Sequence, residues 1–361
     1  MTNHTMIRFL FRLMVLFTVL SLALLVVLRV GTLASTLISH PVHHSKQIAY
    51  ISGYFVGAAY YPTIYLMDVD RHLTSPLIRH PLPNYKVGLS WSPDGTKLAY
   101  VMISPNDIQA VYIYDLLTHV DQRLDAPDAQ SMSHPDWSPD STRLSFSLYS
   151  REHTWWQIYA ADFSQTPIHY TLLKDTLAVA PDARWSPDGT ELVYMTVGNN
   201  SGTMHLEVLT LATGVTEVVT GDYGLFGPGN WSLNGEWIAF RGARPDGRVG
   251  LFVSNLTTRQ ERWLNSDYRY EPPVWSIDST AVAWHGDNNG IYIQNIADDV
   301  PRLLFGKSGI DTTSPVWSPD GSQLLFTQNH RLTLIDLPAG TLHILSAEDD
   351  TDAKSIYAWR P

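Results

Sequence analysis

The chain of 361 residues contains no cysteine. That excludes a disulfide framework, a thiolate metal site, a thiol nucleophile and a lipid-modified cysteine. It does not choose a compartment, because many exported proteins also lack disulfides. Charge is sparse too, at 16% of residues, and basic residues are the scarcer sign, 24 against 35 acidic. Three of the 24, Arg8, Arg12 and Arg29, lie in the first 45 residues, which hold no acid. The remainder therefore carries 21 basic and 35 acidic residues, a net of −14. A body so acidic offers no stripe of Lys and Arg for phosphates, which argues against nucleic acid. It is also repelled by anionic lipid, so contact with a membrane falls to the N-terminal segment alone.

The usual signatures of catalysis are missing as well. No Gly-x-Ser-x-Gly elbow occurs, and "GKSG" at Gly306–Gly309 is one residue short. "SPDGT" sets Asp and Gly adjacent where a sialidase-type Asp box separates them. His-Glu-x-x-His and EF-hand patterns are absent. The runs "DDTD" (Asp349–Asp352) and "DNN" (Asp287–Asn289) read as polar loops rather than calcium sites. The sequence therefore predicts a non-enzyme with no cofactor and no metal.

What the chain does have begins with an apolar run. Leu13–Leu28 is uncharged, Arg29 follows, and Val30–Leu33 can prolong it. A helix over residues 13–33 approaches the ~20 residues that span a bilayer. Arg8 and Arg12 place residues 1–12 in the cytoplasm and everything after the span outside. The rival is a cleaved signal peptide ending at "TLA" before Ser35. Residues 34–45 read as a linker, and its cluster His40, His43 and His44 reads as solvated tether rather than metal site.

Beyond residue 45 the chain repeats itself. Trp91, Trp137, Trp185, Trp231, Trp275, Trp317 and Trp359 are separated by 46, 48, 46, 44, 42 and 42 residues. Such a period marks a propeller or solenoid. Six of these tryptophans open a turn of the type "WSPDGT", in which Pro presets φ, Asp or Asn caps the backbone and Gly accepts positive φ. Ser141 and Ser279 stand where the other turns have Gly. Each turn leads into an apolar strand with period-two patterning ("LAYVM", "LVYMT", "LLFTQ"), then a second strand ("VYIYDL", "LEVLTL", "LTLIDL") and a weaker third. With the tryptophan strand these make the four strands of one propeller blade. The N-terminal unit, "QIAYIS" and "TIYLMDVD", lacks an inner strand, and the C-terminal "SIYAWRP" supplies one. The expectation is an all-β, seven-bladed propeller over residues 46–361, its first blade closed by the C-terminal strand. Six blades with an irregular N-terminal segment is the alternative. The repeat aspartates Asp94, Asp140, Asp188, Asp278 and Asp320 are read as turn-builders.

"SPVWSPDGSQLLFT" (Ser314–Thr327) and "DARWSPDGTELVYM" (Asp182–Met195) resemble the repeats of the TolB-type, WD-like β-propeller family of bacterial exported proteins. The resemblance covers residues 46–361 and implies the propeller fold. It implies little about function, because the repeat serves partner-binding periplasmic proteins and the propellers of prolyl oligopeptidase-like enzymes alike. Seven blades instead of six, and a membrane segment in place of an N-terminal α/β domain, point to a membrane-anchored relative rather than TolB itself.

The sequence thus predicts a single-pass protein of the cell membrane, with its propeller on the periplasmic or extracellular side binding another protein or an envelope component. The alternatives are a structural subunit of a membrane complex and a propeller enzyme acting on glycan or peptide. Candidate binding residues are the polar ones that start the inner strands, His134, Asp182, Glu271 and Ser314, which ring a channel mouth. Phe55 and Tyr61, in the aromatic stretch Ser52–Pro62, are candidates as an apolar contact patch if exposed, or as extra core if folded over the ring.

Overall fold

The structure is a computed structural model. It describes residues 46–361 apart from 57–58, 80–84, 104–107, 127, 151, 153–154, 177–180, 199–202, 222–223, 226, 267–272, 307–308 and 346–356. The predicted membrane helix, the linker and its three histidines lie outside the described residues, as does "DDTD".

Among the described residues there is no helix, and the strands form seven antiparallel sheets. Each sheet is one blade, so the seven-blade expectation holds and the six-blade alternative does not. Blade two is typical, with Tyr85–Trp91, Lys97–Ile103, Gln109–Asp115 and Val120–Arg123 paired in that order from the inside out. Blade one takes its inner strand, Tyr357–Trp359, from the C-terminus, and this pairs with Gln47–Val56, Ile48 opposite Trp359. No open edge is left at the channel.

Burial departs from the period-two reading of the strands that follow the turns, which are second from the channel. Lys97–Ile103 buries both faces over five consecutive residues, and Ala281–His285 buries all five. An alternating strand needs one wet face, but each blade here is sandwiched between two others. The centre of each second strand holds one large aromatic: Tyr50, Tyr100, Phe146, Tyr194, Phe240, Trp284 and Phe326 are 0–2% exposed. The outermost strands are the most exposed, Val120–Arg123 and Leu342–Ile344 along their whole length.

The tryptophans do more than fill space. Trp137 Nε1 donates to the carbonyl of Ser90, Trp185 to Asp136, Trp231 to Arg184, and Trp275 to Asn230, at 3.0–3.1 Å. Trp91 and Trp317 donate likewise to Ala358 and Val274 at 3.3 Å. Each indole therefore bonds the residue just ahead of the preceding blade's tryptophan and ties neighbouring inner strands together. Trp359 Nε1 is buried without such a partner.

The turns follow the expected chemistry. In five of them a Ser hydroxyl donates to the Asp Oδ1 at 2.6 Å, as Ser138 does to Asp140, and Asn234 takes the same bond from Ser232. That oxygen also accepts the backbone N–H two residues on, for example from Thr142. Ser141 and Ser279 adopt positive φ, 61° and 60°. Their hydroxyls accept the backbone N–H of Asp94 and Asn234 in the preceding blade's turn, both at 3.0 Å. The strain is thus offset by a bond between blades that glycine cannot make. Ser141→Ala, which keeps the strain and loses the bond, is expected to cost about 1 kcal/mol. Ser141→Gly loses the bond but relieves the backbone and should lie near wild type. Denaturant titration of both variants checks this, and equal losses would remove the backbone argument.

Candidate functional site

The turns that follow the tryptophans lie on one face of the ring, and there the inner ends of successive blades line an open hollow of about 500 Å³. The turns contribute Pro93, Pro139, Pro187 and Leu233. The inner strands contribute Asp136, Arg184, Asn230 and Val274, each the residue directly before a repeat tryptophan. Ser186 and the repeat residues Trp137, Trp185, Trp231 and Trp275 complete the lining.

The position before the tryptophan reads, around the ring, Ser90, Asp136, Arg184, Asn230, Val274, Val316 and Ala358. Four polar residues are followed by three apolar ones, so the ring has two chemically different sectors. In the polar sector Arg184 sits between two carboxylates. Its guanidinium reaches Asp136 at 3.4 Å and Asp182 at 3.1 Å. The other Asp136 oxygen accepts the Trp185 N–H at 2.9 Å. Asn230 donates to the carbonyl of Pro273 at 2.9 Å, joining blades five and six.

Removal from water pushes the Asp136 carboxyl above its ordinary value, more than Arg184 and the Trp185 amide pull it down, and the Asp182 charge adds to the rise. Burial opposes the charge of Arg184, but Asp182 and Asp136 outweigh it and hold the guanidinium more firmly protonated. The turn aspartates behave the other way. Hydrogen bonds from Ser138, Ser186, Ser276 and Ser318 hold Asp140, Asp188, Asp278 and Asp320 below the usual carboxylate range. At Asp94 partial burial works against the same kind of pull, from Ser92, and is outweighed. All five are ionised at neutral pH.

The residues singled out at the starts of the inner strands are not gathered into one site. His134 is exposed, with φ of 55°, and its Nδ1 meets only the neighbouring Ser133 hydroxyl among the bonds of its ring, at 2.9 Å. Asp182 is buried and committed to Arg184. Ser314 uses its carbonyl to accept the hydroxyl of Tyr357 across the closing seam. Glu271 lies outside the described residues. The stretch Ser52–Pro62 is not a loop: its two arms continue a hairpin in which Phe55 pairs Tyr60 and Tyr54 pairs Tyr61. Tyr61 is half-buried there, and the side chain of Phe55 lies outside the description.

Asp136 and Arg184 were the residues the sequence reading missed. The signal was present as two opposite charges at the same repeat position in successive blades. Among the described residues no group of three or more His, Asp or Glu is placed to hold a metal ion.

Residues 37–290 match the family model described as "TolB beta propeller domain". The Tol-Pal system protein TolB of Alcanivorax borkumensis is 32% identical over 81 residues, which is 22% of this chain and 18% of that protein's length. Among solved structures, TolB from Acinetobacter baumannii aligns over 91% of this chain and 70% of its own, at a TM-score of 0.56 and 17% identity. The oligogalacturonate lyase of Vibrio parahaemolyticus aligns over 85% and 89%, at a TM-score of 0.55 and 13% identity. At such identities the structural likeness concerns the fold alone.

Proposed function

The chain belongs to the TolB beta propeller domain family, and on that premise we propose that it is a partner-binding module of the bacterial cell envelope. In this reading the segment 13–33 anchors it in the membrane, the propeller lies on the extracytoplasmic side, and the turn-face cavity receives part of another protein or envelope component. The observation that carries the reading is the cavity itself: about 500 Å³, lined by four repeat tryptophans, with polar and apolar sectors side by side. Ligand sites are mostly apolar hollows with a few convergent polar groups. The ionisable groups there are engaged with one another, Asp136 with Arg184 and the Trp185 amide, Asp182 with Arg184. That commitment suits a binding surface better than acid–base chemistry, so the proposal is a non-enzyme.

The test is affinity capture of the tagged full-length chain from gently solubilised membranes, with Leu233→Asp as the comparison. Leu233 is 54% exposed, so the change should spare the fold. A partner recovered with the wild type and lost with the variant supports the cavity as the contact site. Equal recovery with both sinks it and moves the structural-subunit alternative forward. Mass measurement of the mature N-terminus examines the anchor, and a start near Ser35 would mean a cleaved signal instead.

A further inference from the structure

We propose that the turn-face cavity selects a polypeptide segment that presents a lysine or arginine side chain next to an aliphatic or aromatic one, the cation meeting Asp136 and the apolar group meeting Leu233 and Val274. This rests on the reading of the cavity as the partner site and names the chemistry of its occupant.

Charge is the first argument. Two carboxylates, Asp136 and Asp182, share one guanidinium that can balance only one of them, so a cation brought to Asp136 supplies the counter-charge its ionised form lacks. Each Asp136 oxygen accepts one hydrogen bond from the protein, whereas a carboxylate can accept about four. Its side chain keeps 22% of its surface accessible, so there is both room and acceptor capacity for a ligand's N–H groups. An anionic occupant would have to approach Arg184, which sits between the carboxylates of Asp136 and Asp182 and gives each of them one N–H, so it would meet their like charge.

The surroundings of the cavity agree. Asp94, Asp140 and Asp188 directly follow Pro93, Pro139 and Pro187, which line it, so ionised carboxylates stand beside its mouth. The arginines on the same face offset part of that charge, Arg143 beside Asp140 and Arg360 beside Asp94, but their donors point elsewhere. Arg143 lies 4.5 Å above the Trp185 ring and donates to the carbonyl of Gly189, while Arg360 donates to Gly95 and Gln47. A body with net charge −14 adds a long-range field of the same sign.

Shape and polarity supply the second argument. The two blades that replace the turn proline with a larger aliphatic residue, Leu233 and Ile277, adjoin the apolar sector that starts at Val274. Both side chains are exposed, at 54% and 43%. Lysine and arginine stems pack along apolar walls while their heads reach a charge. An occupant with one basic and one apolar side chain therefore matches the two sectors in order around the ring.

The experiment pans a phage-displayed random heptapeptide library on the full-length chain in detergent micelles, and then measures synthetic copies of the recovered peptides by calorimetry. The expected result is enrichment in Lys or Arg together with Leu, Phe or Trp. Replacing the basic residue of such a peptide by norleucine should weaken binding about tenfold, as should Asp136→Asn in the protein. Leu233→Ser should weaken it too, and added salt should loosen the basic peptide more than its norleucine form. The norleucine comparison needs no protein variant, so it decides the question even if Asp136→Asn disturbs the fold. Recovered peptides that are neutral or acidic, yet weakened by Leu233→Ser, would overturn the cationic occupant and leave the cavity standing as a binding site. No enrichment, or peptides indifferent to both protein changes, would overturn both readings.

Discussion

A chain lacking Tyr357–Pro361 is expected to lose at least about 6 kcal/mol of stability, and with it on the order of 10 °C of melting temperature. The five residues contain two buried aromatics, Tyr357 and Trp359, which pack with Ile48, Tyr50 and Leu325. Removing one large aromatic from a core costs about 3–5 kcal/mol. Backbone bonds to Gln47–Val56 go as well, together with the carbonyl of Ala358 that receives the Trp91 indole and the bonds of Arg360 to Gly95 and Gln47. Blade one would then expose Ile48 and Tyr50, both nearly fully buried in the closed ring, along an unpaired edge. Differential scanning calorimetry of the full-length and shortened chains provides the measurement. An unchanged transition would show that the ring does not depend on this strand.

The second large effect is expected at Arg184. Arg184→Met leaves Asp136 and Asp182 without a counter-charge; because the side chains keep 29%, 22% and 11% of their surface accessible, the expected cost at neutral pH is about 2 kcal/mol, below that of a fully buried pair. The direction with pH follows from the carboxyl of Asp136, which burial already raises above its ordinary value with Arg184 in place. Without the guanidinium it rises further. A carboxyl whose pKa is higher in the folded than in the unfolded state binds its proton more tightly when folded. The variant's deficit is therefore largest at neutral pH and shrinks as pH falls through that folded-state pKa. The turn aspartates respond oppositely, because their pKa values are lowered on folding, so wild type and variant alike lose stability on acidification. Comparing the two proteins at each pH cancels that common loss. Urea titrations between neutral and mildly acidic pH should show the gap narrowing, and a gap that stays constant would mean the cost is packing alone.

The parts of this molecule legible in its sequence are those built from short-range chemistry. Each turn is closed by residues within five positions of one another: Ser138, Asp140 and Thr142 bond among themselves, and the tryptophan that opens the turn repeats at 42–48 residues. The missing inner strand at Gln47 and the spare one at Tyr357 could be matched by counting strands. The candidate site was not open to the same method. His134, Asp182, Glu271 and Ser314 were chosen for polarity at the starts of inner strands, but polarity does not say which way a side chain turns or what it meets. Phe55 and Tyr61 read from the sequence as an exposed patch or as extra core, but composition does not show that the hairpin register carries through this stretch, pairing Gly53 with Pro62.

From the sequence alone came the class of fold, the number of blades and the architectural role of the repeat aspartates, since period and turn chemistry are local. Tertiary structure alone decided that Asp136 and Arg184, 48 residues apart, stand against each other, and that they line one hollow together with Leu233 and Val274. Those neighbours come from different blades. Only closure of the ring and the twist of each inner strand determine which residue of one blade faces which residue of the next, and no spacing within a single repeat records that angle.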